Sequence, residues 1–93
     1  MGVYRYLNDE QREQVISKQV LKSGTSIGAN INEANYAQSK ADFISKLHIV
    51  LKETAETEYW IKLLALSEYI ENNQSTQLLN MCLDLKKNVN IIY

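Results

Sequence analysis

Three carboxylates, Glu53, Glu56 and Glu58, fall within one short stretch of a chain that has one histidine, His48, and one cysteine, Cys82. Such a cluster could hold a metal. Carboxylate-bridged di-metal bundles, however, use Glu-x-x-His on two helices, and the residue three before His48 is Ser45. On a helix, Glu53 and Glu56 share a face with Trp60 while Glu58 lies on another. They read as interface or surface carboxylates paired with lysine or hydroxyl groups, and no metal is expected. His48 reads as a surface or interface residue. Ser23, Thr25 and Ser26 have no histidine nearby, and nothing orients His48 toward them, so hydrolase chemistry is not expected. Cys82 sits on an apolar stripe, where a free thiol behaves as a small hydrophobe. Gly24-Thr25-Ser26-Ile27-Gly28 lacks the following Gly-Lys-Ser/Thr of a phosphate loop. Tyr36, Tyr59 and Trp60 could stack on bases, but aromatic residues at helical spacing read first as packing. The chain is read as a non-enzyme with no catalytic, cofactor-binding or metal-ligating residue.

The remaining polar chemistry is basic and dispersed. Formal charge is −1 and the pI is near 5.8, so the molecule as a whole is not a basic surface for nucleic acid. Lys18 and Lys22 stand one turn apart. Arg12, Lys40, Lys46, Lys52 and Lys62 punctuate polar positions, and Lys86 and Lys87 are adjacent. Repeating each chain around a symmetry axis would multiply these cations into an anion-attracting patch. Arg12, Lys18, Lys22, Lys40 and Lys46 are the candidates for that role.

The elements that would carry these residues are helical. No proline and three glycines leave little to interrupt helices. Met1 to Leu7 reads as a stub too short to stand alone. Asn8 reads as a cap, with Gln11 in the capping-box position. A helix over about 9–35 carries Ile16, Val20, Ser23, Ile27 and Ala34 at helical spacing. Gly24 and Gly28, four apart, are read as a small face in a continuous helix that lets another backbone approach. A second helix spans about 39–69, with Ser39 as its N-cap and Asp42 in its first turn. Phe43, Val50, Thr57 and Leu64 form one heptad column, and Leu47, Thr54 and Ile61 the next. A further flank bears Ile49, Trp60, Leu63 and Ile70, and a third Ile44, Leu51 and Ala65. A helix apolar on several sides needs several neighbours, so Gly24, Gly28, Ile49, Trp60 and Leu63 are assigned to helix packing or an oligomer interface. The last helix, about 75–92, shows Leu78, Cys82, Leu85, Val89 and Ile92. Short connections make neighbouring helices antiparallel.

Ninety-three residues allow a single domain, 1–93, with a small core that self-association would help. An apolar share of 45% with 23% charged residues is that of a folded chain. One cysteine rules out an internal disulfide framework and fits a reducing cytoplasm. No apolar run is long enough to span a bilayer. The first residues lack a signal-peptide core, and Tyr6 stands where a myristoylation motif needs Ser or Thr. A cytoplasmic location without membrane contact is therefore expected.

Three blocks are distinctive: Ser17 to Ala34 (SKQVLKSGTSIGANINEA), Ser39 to Leu47 (SKADFISKL) and Lys52 to Leu64 (KETAETEYWIKLL). In this order they resemble the bacterial 23S rRNA-intervening sequence protein family, over roughly Tyr4 to Ile92. The resemblance implies an antiparallel up-and-down four-helix bundle and ring-like homo-oligomers, pentamers in characterised members. A related branch, the accessory proteins of diversity-generating retroelements, implies binding of nucleic acid and a protein partner. The family's small face matches Ser23, Gly24, Ser26, Gly28 and Ala29. Its carboxylates match Glu33, Glu53 and Glu56, and Ser39, Lys40, Phe43, Tyr59 and Trp60 match as well. No catalytic role attaches to them. Glu33 near the end of one helix and Lys40 near the start of the next could pin the interhelical corner.

The chain departs from the family in its first helix, which is truncated to the stub, so three helices dominate. The groove so exposed is expected to be filled by another subunit, with oligomers other than a pentamer open. Ser75, near the start of the last helix, replaces an apolar staple. The leading expectation is thus an oligomeric helical protein that binds RNA or DNA through a symmetric basic surface. The alternative is a protein-interaction adaptor or scaffold without nucleic-acid contact.

Overall fold

The computed structural model describes the backbone over residues 2–92 and side chains over residues 10–90. It is all-α, with three helices, α1 (Gly2–Asn35), α2 (Lys40–Leu66) and α3 (Asn72–Ile92), and no strand among the described residues. The expected stub and the break at Asn8 are not seen: α1 runs through both as one helix. The physical reason is cooperativity. Extending an existing helix fixes one residue per hydrogen bond, whereas starting a separate one fixes several, and nothing between Leu7 and Gln14 forbids helical dihedrals. The fourth helix expected of a bundle is accordingly not among the described residues. Nor do Gly24 and Gly28 break α1, although each is intrinsically unfavourable in a helix interior by about 1 kcal/mol relative to Ala.

Local chemistry fixes the helix ends. Ser39 caps α2, its Oγ accepting from the Asp42 backbone N–H at 3.0 Å. α2 stops at Leu66, three residues before the expected end. There the Glu68 N–H donates to the Ala65 carbonyl and the Tyr69 N–H to the Leu64 carbonyl, with Glu68 in the left-handed region at φ 61°. That is a Schellman closure built without glycine. α3 starts three residues earlier than expected. Gln74 Oε1 accepts from the Glu71 N–H at 3.0 Å, the reciprocal half of a capping box. Ser75 consequently lies inside α3 and is buried, with its hydroxyl donating to the Asn72 carbonyl at 2.8 Å.

α2 is the middle element. It packs α1 along one side and α3 along another, while α1 and α3 make no backbone contact with each other. The residues that make this possible are the two heptad columns: Leu47, Val50, Thr54, Thr57, Ile61 and Leu64 are all buried. Ala34, Leu47, Val50 and Val89 form the core cluster at one end, with Ile27, Ile31, Phe43, Leu51 and Leu85 packed on it. The result is flat. The radius of gyration is 16.0 Å and the extents are 57 × 22 × 13 Å, against a radius of about 12 Å for a compact chain of this length.

Candidate interaction groove

Two hydroxyls set the register of α1 on α2. Thr57 Oγ1 and Ser23 Oγ are 2.7 Å apart and both residues are buried. Carbonyl acceptors on each helix complete the pair: Glu53 O lies 2.8 Å from Thr57 Oγ1, and Gln19 O lies 3.0 Å from Ser23 Oγ. A buried hydroxyl without such partners would cost about 1–3 kcal/mol. The same register explains a correction at the helical corner. With Ser23 level with Thr57, Glu33 comes level with the second turn of α2 rather than with its first residue. Glu33 Oε2 pairs with Lys46 Nζ at 2.9 Å, not with Lys40. The hydrogen bond and charge of Glu33 hold the Lys46 ammonium above its ordinary pKa.

Different surfaces open on the two sides of this bridge. On one side Gln19, Lys22, Ser23 and Ser26 of α1 meet Glu53 and Glu56 of α2 around a polar cleft of about 170 Å³. Among the described residues no group of three or more His, Cys, Asp or Glu could hold a metal ion. On the other side lies an apolar groove of about 410 Å³, walled by α1 and α3 and floored by α2. Its lining is Val20 and Gly24, Thr57 and Ile61, and Leu78, Met81, Cys82 and Leu85. Its α3 rim is apolar and open, with Met81 67% exposed.

The lining of the groove also holds no Asp, Glu, Lys, Arg or His. The α1 positions that follow its wall at helical spacing are Gln14, Ser17, Leu21, Gly24, Gly28, Ile31 and Asn35. Those of α3 are Gln74, Leu78, Met81, Leu85 and Asn88. None is ionisable. Depletion of charge over an apolar centre is the compositional mark of a buried interface rather than of ordinary surface. Beneath the groove, burial and then the neighbouring Glu58 carboxylate push the Cys82 thiol up, with Lys86 acting the other way. Glu58 itself faces α3, where its Oε1 meets Lys86 Nζ at 2.6 Å; among the described residues that buried oxygen has no hydrogen-bond partner besides this ion pair.

The residues singled out from sequence fall as follows. Arg12, Lys18, Lys22 and Lys40 are exposed, Lys22 at the polar cleft. Lys46 is taken up by Glu33. Gly24 and Gly28 are exposed on α1, and a Cβ added at either would meet nothing within 4 Å. The close approach their small size permits is therefore not made within this chain. Ile49, Trp60 and Leu63 are half-buried on a face of α2 away from the groove. The sequence reading does not assign Leu78 or Met81 to a groove. The available signal was the uncharged row, visible only when both walls are read together.

The model of the 23S rRNA-intervening sequence proteins matches residues 1–90. The chain belongs to that family. The family resemblance read from the three motifs is thereby shown, and the family's name does not itself specify an activity. A solved structure from Bacteroides thetaiotaomicron VPI-5482, described as a protein with unknown function from the S23 ribosomal protein family, is 53% identical. It aligns over 98% of this chain and 84% of that one, with a TM-score of 0.84. No curated protein matches the chain. Among the described residues, no helix of this family member is long and apolar enough to cross a membrane.

Proposed function

We propose that this protein is a non-enzymatic, oligomeric helical interaction module whose working surface is the groove between α1 and α3. The carrying observation is the combination of an apolar lining with two uncharged walls. A helix with an apolar face fits it by shape, because helices pack 8–10 Å apart and the groove occupies the corner left between two helices that share α2. The groove's lining is apolar apart from Thr57 and the Cys82 thiol, whose pKa is raised by burial and then by Glu58. In this reading the four-helix arrangement implied by the resemblance is completed by packing a further helix there.

The test is a titration with a neutral amphipathic helical peptide, following the methyl signal of Met81 and the alkylation rate of Cys82. Saturable shifts at Met81 with slowed alkylation are expected. Unchanged signals at millimolar peptide would overturn the reading.

Nucleic-acid binding by the assembled oligomer is the second reading, and a separate observation favours it. Among the described residues, Arg12, Lys18, Lys22 and Lys40 have no carboxylate within ion-pair distance, unlike Lys46 and Lys86. Binding would then weaken linearly in log affinity with log salt, and Lys18→Gln/Lys22→Gln would flatten that slope. A slope unchanged by the double substitution would count against these lysines as phosphate contacts. The adaptor reading stands first because the net charge is −1 and Lys22 shares its cleft with Glu53 and Glu56.

A further inference from the structure

We propose that Met81 is a modification site: oxidation of its thioether to the sulfoxide by a peroxide weakens the docking of an apolar helix in the groove, and reduction restores it. The inference rests on the groove being an interaction surface and adds its regulation.

The first argument is place. Met81 stands on the α3 wall of the groove, between Leu78 and Leu85 at helical spacing. In the single chain it is 67% exposed. A helix seated in the groove covers it, so the thioether passes from water to an apolar surrounding when the partner binds. Methionine suits that passage, because its flexible, polarizable chain adapts to whatever packs on it.

The second argument is what one added oxygen does there. Hydrogen peroxide transfers an oxygen to the sulfur: the O–O bond breaks, an S–O bond forms, the sulfur loses two electrons and water leaves. The product is polar. In the free chain it stays in water, and the fold is not disturbed. Under a docked helix it needs a donor. Val20 and Gly24 stand across the groove and Ile61 lies on its floor. The Thr57 hydroxyl is committed to Ser23 and the Glu53 carbonyl. A docking helix brings backbone N–H groups already bonded within itself. The covered sulfoxide is therefore left unanswered, which disfavours binding.

The neighbouring sulfur makes the site selective. Cys82 is next in sequence yet only 8% exposed. Peroxides attack thiolates, and burial and then Glu58 raise the Cys82 pKa, which lowers its thiolate share. A thioether has no proton to lose, so access governs its rate. The oxygen is removed again by a methionine sulfoxide reductase, which draws two electrons from a dithiol and releases water.

The full chain would be treated with hydrogen peroxide, the added oxygen placed by peptide mass, and the free thiol counted after unfolding. A neutral, methionine-free amphipathic helical peptide would then be titrated onto untreated, oxidised and reductase-treated chain. The expected result is oxygen at Met81 with the Cys82 thiol intact, affinity lowered about tenfold, an unchanged melting temperature, and recovery after the reductase. In Met81→Leu, whatever its own affinity, peroxide should leave that affinity unaltered. Oxidised chain that binds as tightly as untreated chain would overturn the proposal and leave the groove reading standing. So would oxidation of Cys82 ahead of Met81, or a Met81→Leu chain that loses affinity on treatment. A melting temperature that falls with the affinity would overturn it too, since the oxygen would then act through the fold. Untreated chain that does not bind the peptide overturns the groove reading and this proposal with it.

Discussion

The two flanks of α1 are built from similar small residues and end in opposite states. Toward α2, Ser23 meets Thr57 across a closed seam in which every hydroxyl has a partner. Toward α3, Gly24 and Leu21, the next position and two before it, face open space. Neighbours in sequence thus sit on a closed seam and on an open surface. The comparison teaches that small polar residues can close a seam only where their hydrogen bonds are answered.

The widest gap between the two regions should appear on truncation. Ile61 is 2% exposed on the floor where seam and groove meet, and Ile61→Ala should cost about 2–5 kcal/mol in chemical denaturation. Met81→Ala, on the open rim, should change monomer stability by no more than about 0.5 kcal/mol. Comparable losses would mean the rim is already covered, which equilibrium denaturation at two protein concentrations would reveal.

The hydroxyl bridge sharpens the contrast at the next level. Thr57→Val should cost about 1 kcal/mol, because Ser23 then loses a buried partner. Adding Ser23→Ala should cost less than its effect alone, since removing both partners leaves no orphan. A double-mutant cycle with no coupling would say that the two hydroxyls act independently.

Much of the seam was legible in the sequence, and the reason is periodicity. The heptad columns of α2 place Leu47, Val50, Thr54, Thr57, Ile61 and Leu64 together, and all six are buried. Ile16, Ser23 and Ala34 on α1 are buried at the spacing that named them. The helix ends were less legible. Asn8 has the chemistry of a cap but stands inside α1, because cap propensity is weak beside helix elongation. The end of α2 depends on Glu68 adopting a conformation that its residue type does not advertise. The salt bridge of Glu33 was misplaced because the register of one helix on another is set by buried residues, here Ser23 and Thr57, and not by sequence distance from the turn. The groove is harder still to read, since it opens between two helices whose backbones stay apart among the described residues.

A smaller effect tests whether α3 is held in place by its corner. Glu68 at φ 61° is in the region that favours glycine, so Glu68→Gly should stabilise the chain by about 0.5–1 kcal/mol. A loss instead would show that the Glu68 side chain supports the α2–α3 corner.

The smallest expected effect lies at Cys82. Its thiol pKa is raised by burial and by Glu58, so the folded chain holds the proton that an unfolded chain releases as pH climbs past the ordinary thiol range. Its contribution is therefore complete below that range and declines above it. Cys82→Ala should remove that part of the alkaline loss of stability, and melting curves between pH 7 and 10 would check it. Unaltered curves would place the cysteine in a wetter surrounding than the groove floor.

Trp60, the chain's one tryptophan, has an indole N–H that is buried and unbonded. Its ring stands edge-on to Tyr59 with centroids 4.9 Å apart. With its N–H buried and its ring half-buried, the indole should emit to the blue of free tryptophan. Because Trp60 lies on another face of α2 than Ile61, that colour should survive whatever fills the groove and redden only when the helices come apart. The molecule thereby carries an optical report on its own unfolding that is separate from the groove.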